Sequence, residues 1–257
     1  MLIDDLVSHG YVVVGISPSG LSDPVIFPDG RIARRTLGLG EKIGTEQSYA
    51  HDDALFALKK IRELNGMGFL QARLDVHHIG AFGHSLGGTT SLVVADRDTT
   101  VRAAVNIDGD AMGDVRDVRP RQPILLISSE SPTIDEAPPR PSTQQMELVK
   151  QGLERSEKRR SDEWTAIASQ SASAHRISVL GTHHLNFTDA ALASGLLADK
   201  QQRWMKFGSI EPEKALTTLS LIVRTFFDQS FGLVSGRDAF VQPDRWFPGT
   251  RLVVTAP

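Results

Sequence analysis

"GAFGHSLGGTT" occupies Gly80 to Thr90. Ser85 stands between Gly83 and Gly87, where a short apolar run gives way to a helical pattern. The spelling G-x-S-x-G is weak on its own, because chance produces it in roughly one chain in ten of this length. Two readings compete. One is a glycine-rich turn that happens to contain a serine. The other is the sharp strand-to-helix turn that lifts a nucleophile clear of a sheet. The flanking sequence decides between them.

Upstream, "HHIGAF" around His78 to Phe82 has the composition of a short strand, and Ser85 to Ala95 has that of a helix. Further out the same alternation continues. "YVVVGIS" (Tyr11–Ser17), "VRAAVNI" (Val101–Ile107), "PILLIS" (Pro123–Ser128) and "HRISVL" (His175–Leu180) are apolar and largely β-branched, as strands buried on both faces are. Helical spacing places Ala54, Leu58 and Ile61 on one face of a segment from Tyr49 to Leu64, stopped by Asn65-Gly66. Charged Met146–Trp164 reads as a second helix. Ala215, Leu219, Ile222, Val223 and Phe226 mark one face of a closing helix entered through Ser209 and Pro212. Ser17 to about Gly44 and the proline-rich "SPTIDEAPPRPS" read as loops. Strands alternating with helices predict one α/β domain over residues 1–257, a mostly parallel sheet with helices on both faces.

Ligand sites in such sheets lie at the carboxyl ends of the strands. Three reactive residues directly follow strands. Ser85 follows "HHIGAFGH", Asp108 follows "VRAAVNI" and His184 follows "HRISVLGTH". Their order, serine then acid then histidine, is that of α/β-hydrolases. In this context Gly83 and Gly87 allow strand and helix to approach closely. The Leu86 backbone N–H, in the first turn of the helix, is a candidate oxyanion donor. The acid has rivals in Asp110 and in Glu130, which follows "PILLIS"; residue positions alone leave Asp108 and Glu130 level. His183-His184 is not read as a metal pair, because adjacent loop residues point apart and no further ligands stand near. His84 is expected to pack or hydrogen-bond near the turn.

Composition narrows the alternatives. Lys and Arg number 28 against 31 Asp and Glu, a net charge of −3, so there is no electrostatic case for nucleic acid. The Arg31, Arg34, Arg35 cluster and Lys158-Arg159-Arg160 read as solvated surface. The absence of cysteine excludes disulfides, thiolate metal sites and cysteine nucleophiles. "GLGEKIG" (Gly38–Gly44) has the wrong spacing for a dinucleotide fingerprint. No apolar run approaches a membrane span.

These segments resemble the platelet-activating-factor acetylhydrolase family, plasma/type II-like branch, of the α/β-hydrolase superfamily. The resemblance rests on "LVSHGYVVVGIS", "IGAFGHSLGGTT", "VNIDGDAM", "PILLISSE", "GTHHLNFTD" and, more weakly, "KFGSIEPEKALTTLSLIVRTFF". It implies that His184, not His183, is the catalytic histidine and that Asp108, not Glu130, is the acid. It further implies serine ester hydrolysis through an acyl-enzyme, with no cofactor and no metal, on a small-molecule or lipid ester. Leu86 departs from the aromatic residue frequent in the family, and Leu185 from a frequent glutamine. The expected substrate is a short-acyl ester; the alternatives are a non-catalytic hydrolase-like protein and a polyester or amide hydrolase. Trp204, Met205 and Phe207 are expected to cover the site or pack in the core rather than touch lipid.

"MLIDDLVSHGYVVVG" is similar to the helix and strand that follow the oxyanion loop of that fold. The expectation is therefore a shortened chain lacking N-terminal strands, with the second oxyanion donor unidentified. No signal peptide is read after Met1, so the chain as written is expected to be cytoplasmic, with the compartment open to whatever precedes it.

Overall fold

A computed structural model describes residues 1–22, 24–35, 43–111, 113–130, 142–196 and 206–256. In chain order the helices and strands are α1 (Leu2–Ser8), β1 (Val25–Ile26), β2 (Ile32–Ala33), α2 (Ile43–Gly66), β3 (Ile79–His84) and α3 (Leu86–Arg97). Then come β4 (Val101–Ile107), β5 (Ile124–Ser128), α4 (Thr143–Ala168), β6 (Ala174–Val179), α5 (Pro212–Ser230), α6 (Pro243–Trp246) and β7 (Thr250–Ala256). Five strands form one sheet in the order β3-β4-β5-β6-β7, the first four parallel and β7 antiparallel to β6.

Side-chain alternation along β4 explains the two-sided burial. Ala103, Val105 and Ile107 enter a core with Leu6 of α1 and the Leu219, Ile222, Phe226 face of α5. Ala104 enters the opposite core with α2, α3 and α4, whose contributions include Leu58, Leu92 and Trp164; Val101, before the register shift in the β3–β4 ladder, joins the same core. The predicted layering of helices on both faces is therefore present. Parallel order brings the carboxyl ends of β3, β4, β5 and β6 to one edge, where Ser85, Asp108, Glu130 and His184 follow them.

Several expectations are corrected. Tyr11–Ser17 forms no strand: Val12, Val14 and Ile16 are exposed and the segment joins no ladder among the described residues. β-branched composition favours extended backbone, but a strand needs a partner. Here a cavity of about 810 Å³ lies between this segment and β3, lined by Val12, Val14, Ile16, Ile79 and Ala81. Tyr11 stays anchored below it, its hydroxyl donating to Asp228 Oδ1 at 2.7 Å. The expected Ser17–Gly44 loop contains the β1–β2 hairpin, and α2 begins at Ile43 rather than Tyr49. Ser85 caps α3 instead of beginning it, and β3 starts at Ile79. β7 was not anticipated. Phe207 packs in the core; Trp204 and Met205, residues 131–141 of the proline-rich stretch and residues 38–42 of the glycine-rich one lie outside the described residues. No helix among the described residues is long and apolar enough to cross a membrane.

Candidate active site

Ser85 sits at φ 57° and ψ −121°, a backbone conformation that side-chain-bearing residues rarely adopt. Local bonds hold it there. Its N–H donates to the Ile107 carbonyl at 2.8 Å, one step past the β3–β4 ladder. Its own carbonyl accepts from Gly88 and Thr89 at 3.0 and 3.2 Å, which closes the first turn of α3. The Leu86 and Gly87 N–H groups precede any intrahelical acceptor and lie at the positive end of the helix dipole.

Three glycines make the turn sterically attainable, and only one of them is in the expected pair. A Cβ on Gly83 would collide with the Gly87 backbone. One on Gly88 would collide with Asn106 Oδ1 and approach the Gly83 carbonyl, and one on Gly109 would collide with the Ser85 carbonyl. Gly87 itself faces open space. It is therefore the bare Gly83 and Gly88 surfaces that let β3 and α3 meet.

Asp108 also has positive φ, at 54°. Its N–H donates to the Ile127 carbonyl at 2.7 Å, fixing it over the end of β5. Asn106, nearly fully buried, braces the next turn: its Nδ2 donates to the Gly109 carbonyl at 3.0 Å and its Oδ1 accepts from the Gly109 N–H at 2.9 Å. The Asp108 carboxylate accepts from the Ser129 N–H at 2.8 Å, from the Ser129 hydroxyl at 2.8 Å and from His184 Nδ1 at 2.8 Å. Burial alone would push this carboxyl up; the hydrogen bonds from His184 and Ser129 outweigh it, and the pKa lies below the usual aspartate value.

His184 opens a 3₁₀ turn, His184–Phe187, five residues beyond β6. Asn186 Oδ1 shapes that loop by accepting from the His183 N–H at 2.8 Å and the Gly208 N–H at 2.7 Å. His183 is buried and caps the turn, whereas His184 is partly exposed. His84, the residue before Ser85, places its ring 4.3 Å from that of His184, centroid to centroid. Glu130 is occupied elsewhere: its carboxylate accepts from the Gly181 N–H at 2.8 Å. Asp110 pairs with Arg160 at 3.2 Å. The structure thus joins His184 with Asp108 and brings His84, the residue before Ser85, against His184, while Glu130 bonds to Gly181 and Asp110 to Arg160.

A second serine, histidine and aspartate meet at Ser173, His175 and Asp238, 3.1 and 3.0 Å from the histidine. Both partners meet the same nitrogen, Nε2, so no proton can pass through the ring between them. Among the described residues no group of three or more His, Asp or Glu side chains could hold a metal ion.

The sequence profile of the platelet-activating factor acetylhydrolase, isoform II family matches residues 59–245. The chain belongs to that family. The match includes Ser85, Asp108 and His184 with the strands that carry them. The fold is close to that of a ferulic acid esterase from Streptomyces cinnamoneus, with a TM-score of 0.66 over 90% of this chain at 21% identity. At that identity the likeness shows the α/β-hydrolase fold. This chain spans 62% of the length of that esterase. Two supporting residues, Asn106 and Ser129, carry little signal in the sequence. Asn106 sits inside an apolar strand pattern, where its only signal is a buried amide two residues before Asp108; Ser129 carries no distinctive signal.

Proposed function

We propose that this protein hydrolyses short-chain acyl esters through a serine acyl-enzyme. The observation that carries the reading is the 2.8 Å bond between His184 Nδ1 and Asp108 Oδ2. With Nδ1 as the N–H donor to a carboxylate, the neutral ring keeps a lone pair on Nε2, the form a general base requires. In this reading Ser85 Oγ attacks the ester carbonyl carbon while His184 Nε2 takes its proton. Asp108 stabilises the resulting imidazolium. The Leu86 N–H stabilises the oxyanion, with its second donor unidentified. Collapse breaks the C–O bond, the imidazolium protonates the leaving alkoxide, and water repeats the sequence on the acyl-enzyme. The family's name points to an acetyl ester and the structural neighbour's to an aromatic-acid ester, which together support a carboxylic ester substrate.

The test is hydrolysis of p-nitrophenyl acetate alongside labelling by a fluorophosphonate. Ser85→Ala is expected to lose ~10³-fold to ~10⁶-fold in turnover while folding normally. Mass spectrometry of the labelled peptide should place the phosphonyl group on Ser85. EDTA should leave the rate unchanged. Labelling elsewhere, or an active Ser85→Ala variant, contradicts the assignment.

A further inference from the structure

His84 takes no part in the proton path above, yet it makes two separate contacts with His184. Its Nε2 lies 2.8 Å from the His184 carbonyl oxygen. A carbonyl oxygen can only accept, so Nε2 carries the hydrogen and donates it. The two rings also meet at a tilt of 41°, and the His84 ring lies 6.5 Å, centroid to centroid, from that of Phe187 in the same 3₁₀ turn. One contact holds the backbone of His184 and the other its imidazole. Both originate on the residue next to Ser85, at the rigid end of β3.

We propose that His84 is a positioning residue that ties the His184 loop to the elbow and keeps the His184 imidazole in register with Ser85. The proposal rests on the reading of His184 as the general base. A loop base five residues beyond its strand has slack that the Asp108 bond alone does not remove, because one hydrogen bond leaves the ring free to pivot. The bond from His84 Nε2 and the ring contact supply the second and third points of support.

The charge state of His84 matters for the same reason. The titratable groups facing its ring are His184 and Asp108. Burial lowers its pKa, the positive charge of His184 lowers it further, and Asp108 with the bond to the His184 carbonyl only partly offsets them, leaving it at about 4. A neutral ring therefore accompanies His184 through its protonated state without repelling it.

The test uses the full chain, with p-nitrophenyl acetate as substrate and fluorophosphonate titration to count competent sites. His84→Phe keeps a ring and loses the donor; His84→Gln keeps a donor and loses the ring. Each is expected to lose ~10-fold to ~10²-fold in kcat per titrated site, with KM within ~2-fold, since small misplacement of a catalytic group costs rates of this order. His84→Lys adds a fixed charge beside His184 and should lower the acid-limb pKa of kcat/KM by about one unit or more. Wild-type kcat per site in both His84→Phe and His84→Gln, or an acid limb unmoved in His84→Lys, overturns the proposal. Those results leave the function standing if Ser85 still labels and His184→Ala is dead. Failure of Ser85 to label is the separate result that removes the function itself.

Discussion

The Asp108 carboxylate holds His184 Nδ1 at 2.8 Å while Glu130, after the next strand, spends its carboxylate on the Gly181 N–H. Asp108→Asn should therefore cost ~10⁴-fold in kcat, because an amide can present its NH₂ to the ring and stabilise the wrong tautomer. Glu130→Gln should cost little, since the amide oxygen can still accept from Gly181. Steady-state kinetics of the two variants decide the matter. An active Asp108→Asn with a dead Glu130→Gln would place the acid after β5.

In the proposed mechanism the two adjacent histidines have distinct tasks. His183 is buried and caps the 3₁₀ turn, so His183→Ala should lower stability by ~1 kcal/mol and the melting temperature by ~2–4 °C. It should retain most esterase activity. His184→Ala should melt near the wild type and lose as much activity as the serine variant. Calorimetry paired with the ester assay reads both, and the reverse pattern would exchange the two roles.

How much of this was legible follows from where each kind of information resides. Parallel strands connected by helices repeat locally, so β3, β4, β5 and β6 could be read from hydrophobic runs, and with them the edge carrying Ser85, Asp108 and His184. β7 could not: it pairs antiparallel with β6 after a passage through residues 231–249 that follows no strand-helix period. Tyr11–Ser17 misleads in the other direction, since its side chains fit a sheet but the ladder depends on a neighbour that local sequence does not encode. The choice between Asp108 and Glu130 was equally hidden from spacing. Both follow strands; the family resemblance favours Asp108, and the structure turns the Asp108 carboxylate toward His184 and that of Glu130 toward Gly181.

Asn106 should be the most sensitive position outside the three reactive residues. Its side-chain amide makes both bonds that hold the Gly109 turn, and the site is almost fully buried. Asn106→Ala leaves the Gly109 N–H and carbonyl without these partners, at about 1–3 kcal/mol. It should also lower kcat, because Asp108 depends on that turn for its positive φ. Asn106→Asp restores the acceptor for the Gly109 N–H but faces the Gly109 carbonyl with a negative charge, so it should not rescue. Denaturant melts and kinetics of both variants check this; wild-type kcat in Asn106→Ala would separate the brace from the acid's position.

Acid sensitivity should be set by buried histidines. His51 is fully buried, neither ring nitrogen has a hydrogen bond, and its nearest carboxylate oxygen, on Asp114, is 3.5 Å away. Burial lowers its pKa, with Asp114 opposing and Arg97 reinforcing the shift. Burial likewise lowers His175 and His84, the last to about 4. The sign is the same for all three. Above the unfolded value of 6.5 both states are neutral and stability is level. Below it the unfolded chain takes up protons that the folded chain refuses, so stability falls with pH until the folded pKa is passed. Asp108, whose pKa is depressed, extends the loss below the ordinary aspartate value of 3.8. Urea melts should thus show a plateau above about pH 6.5 and a decline beginning there, well before carboxylates titrate. His51→Leu replaces a buried ring, 3.5 Å from Asp114, with an apolar side chain that cannot protonate. It should shrink the loss below pH 6.5 and leave kcat unchanged. A decline of equal depth in His51→Leu would assign the acid limb to His175 and His84 instead.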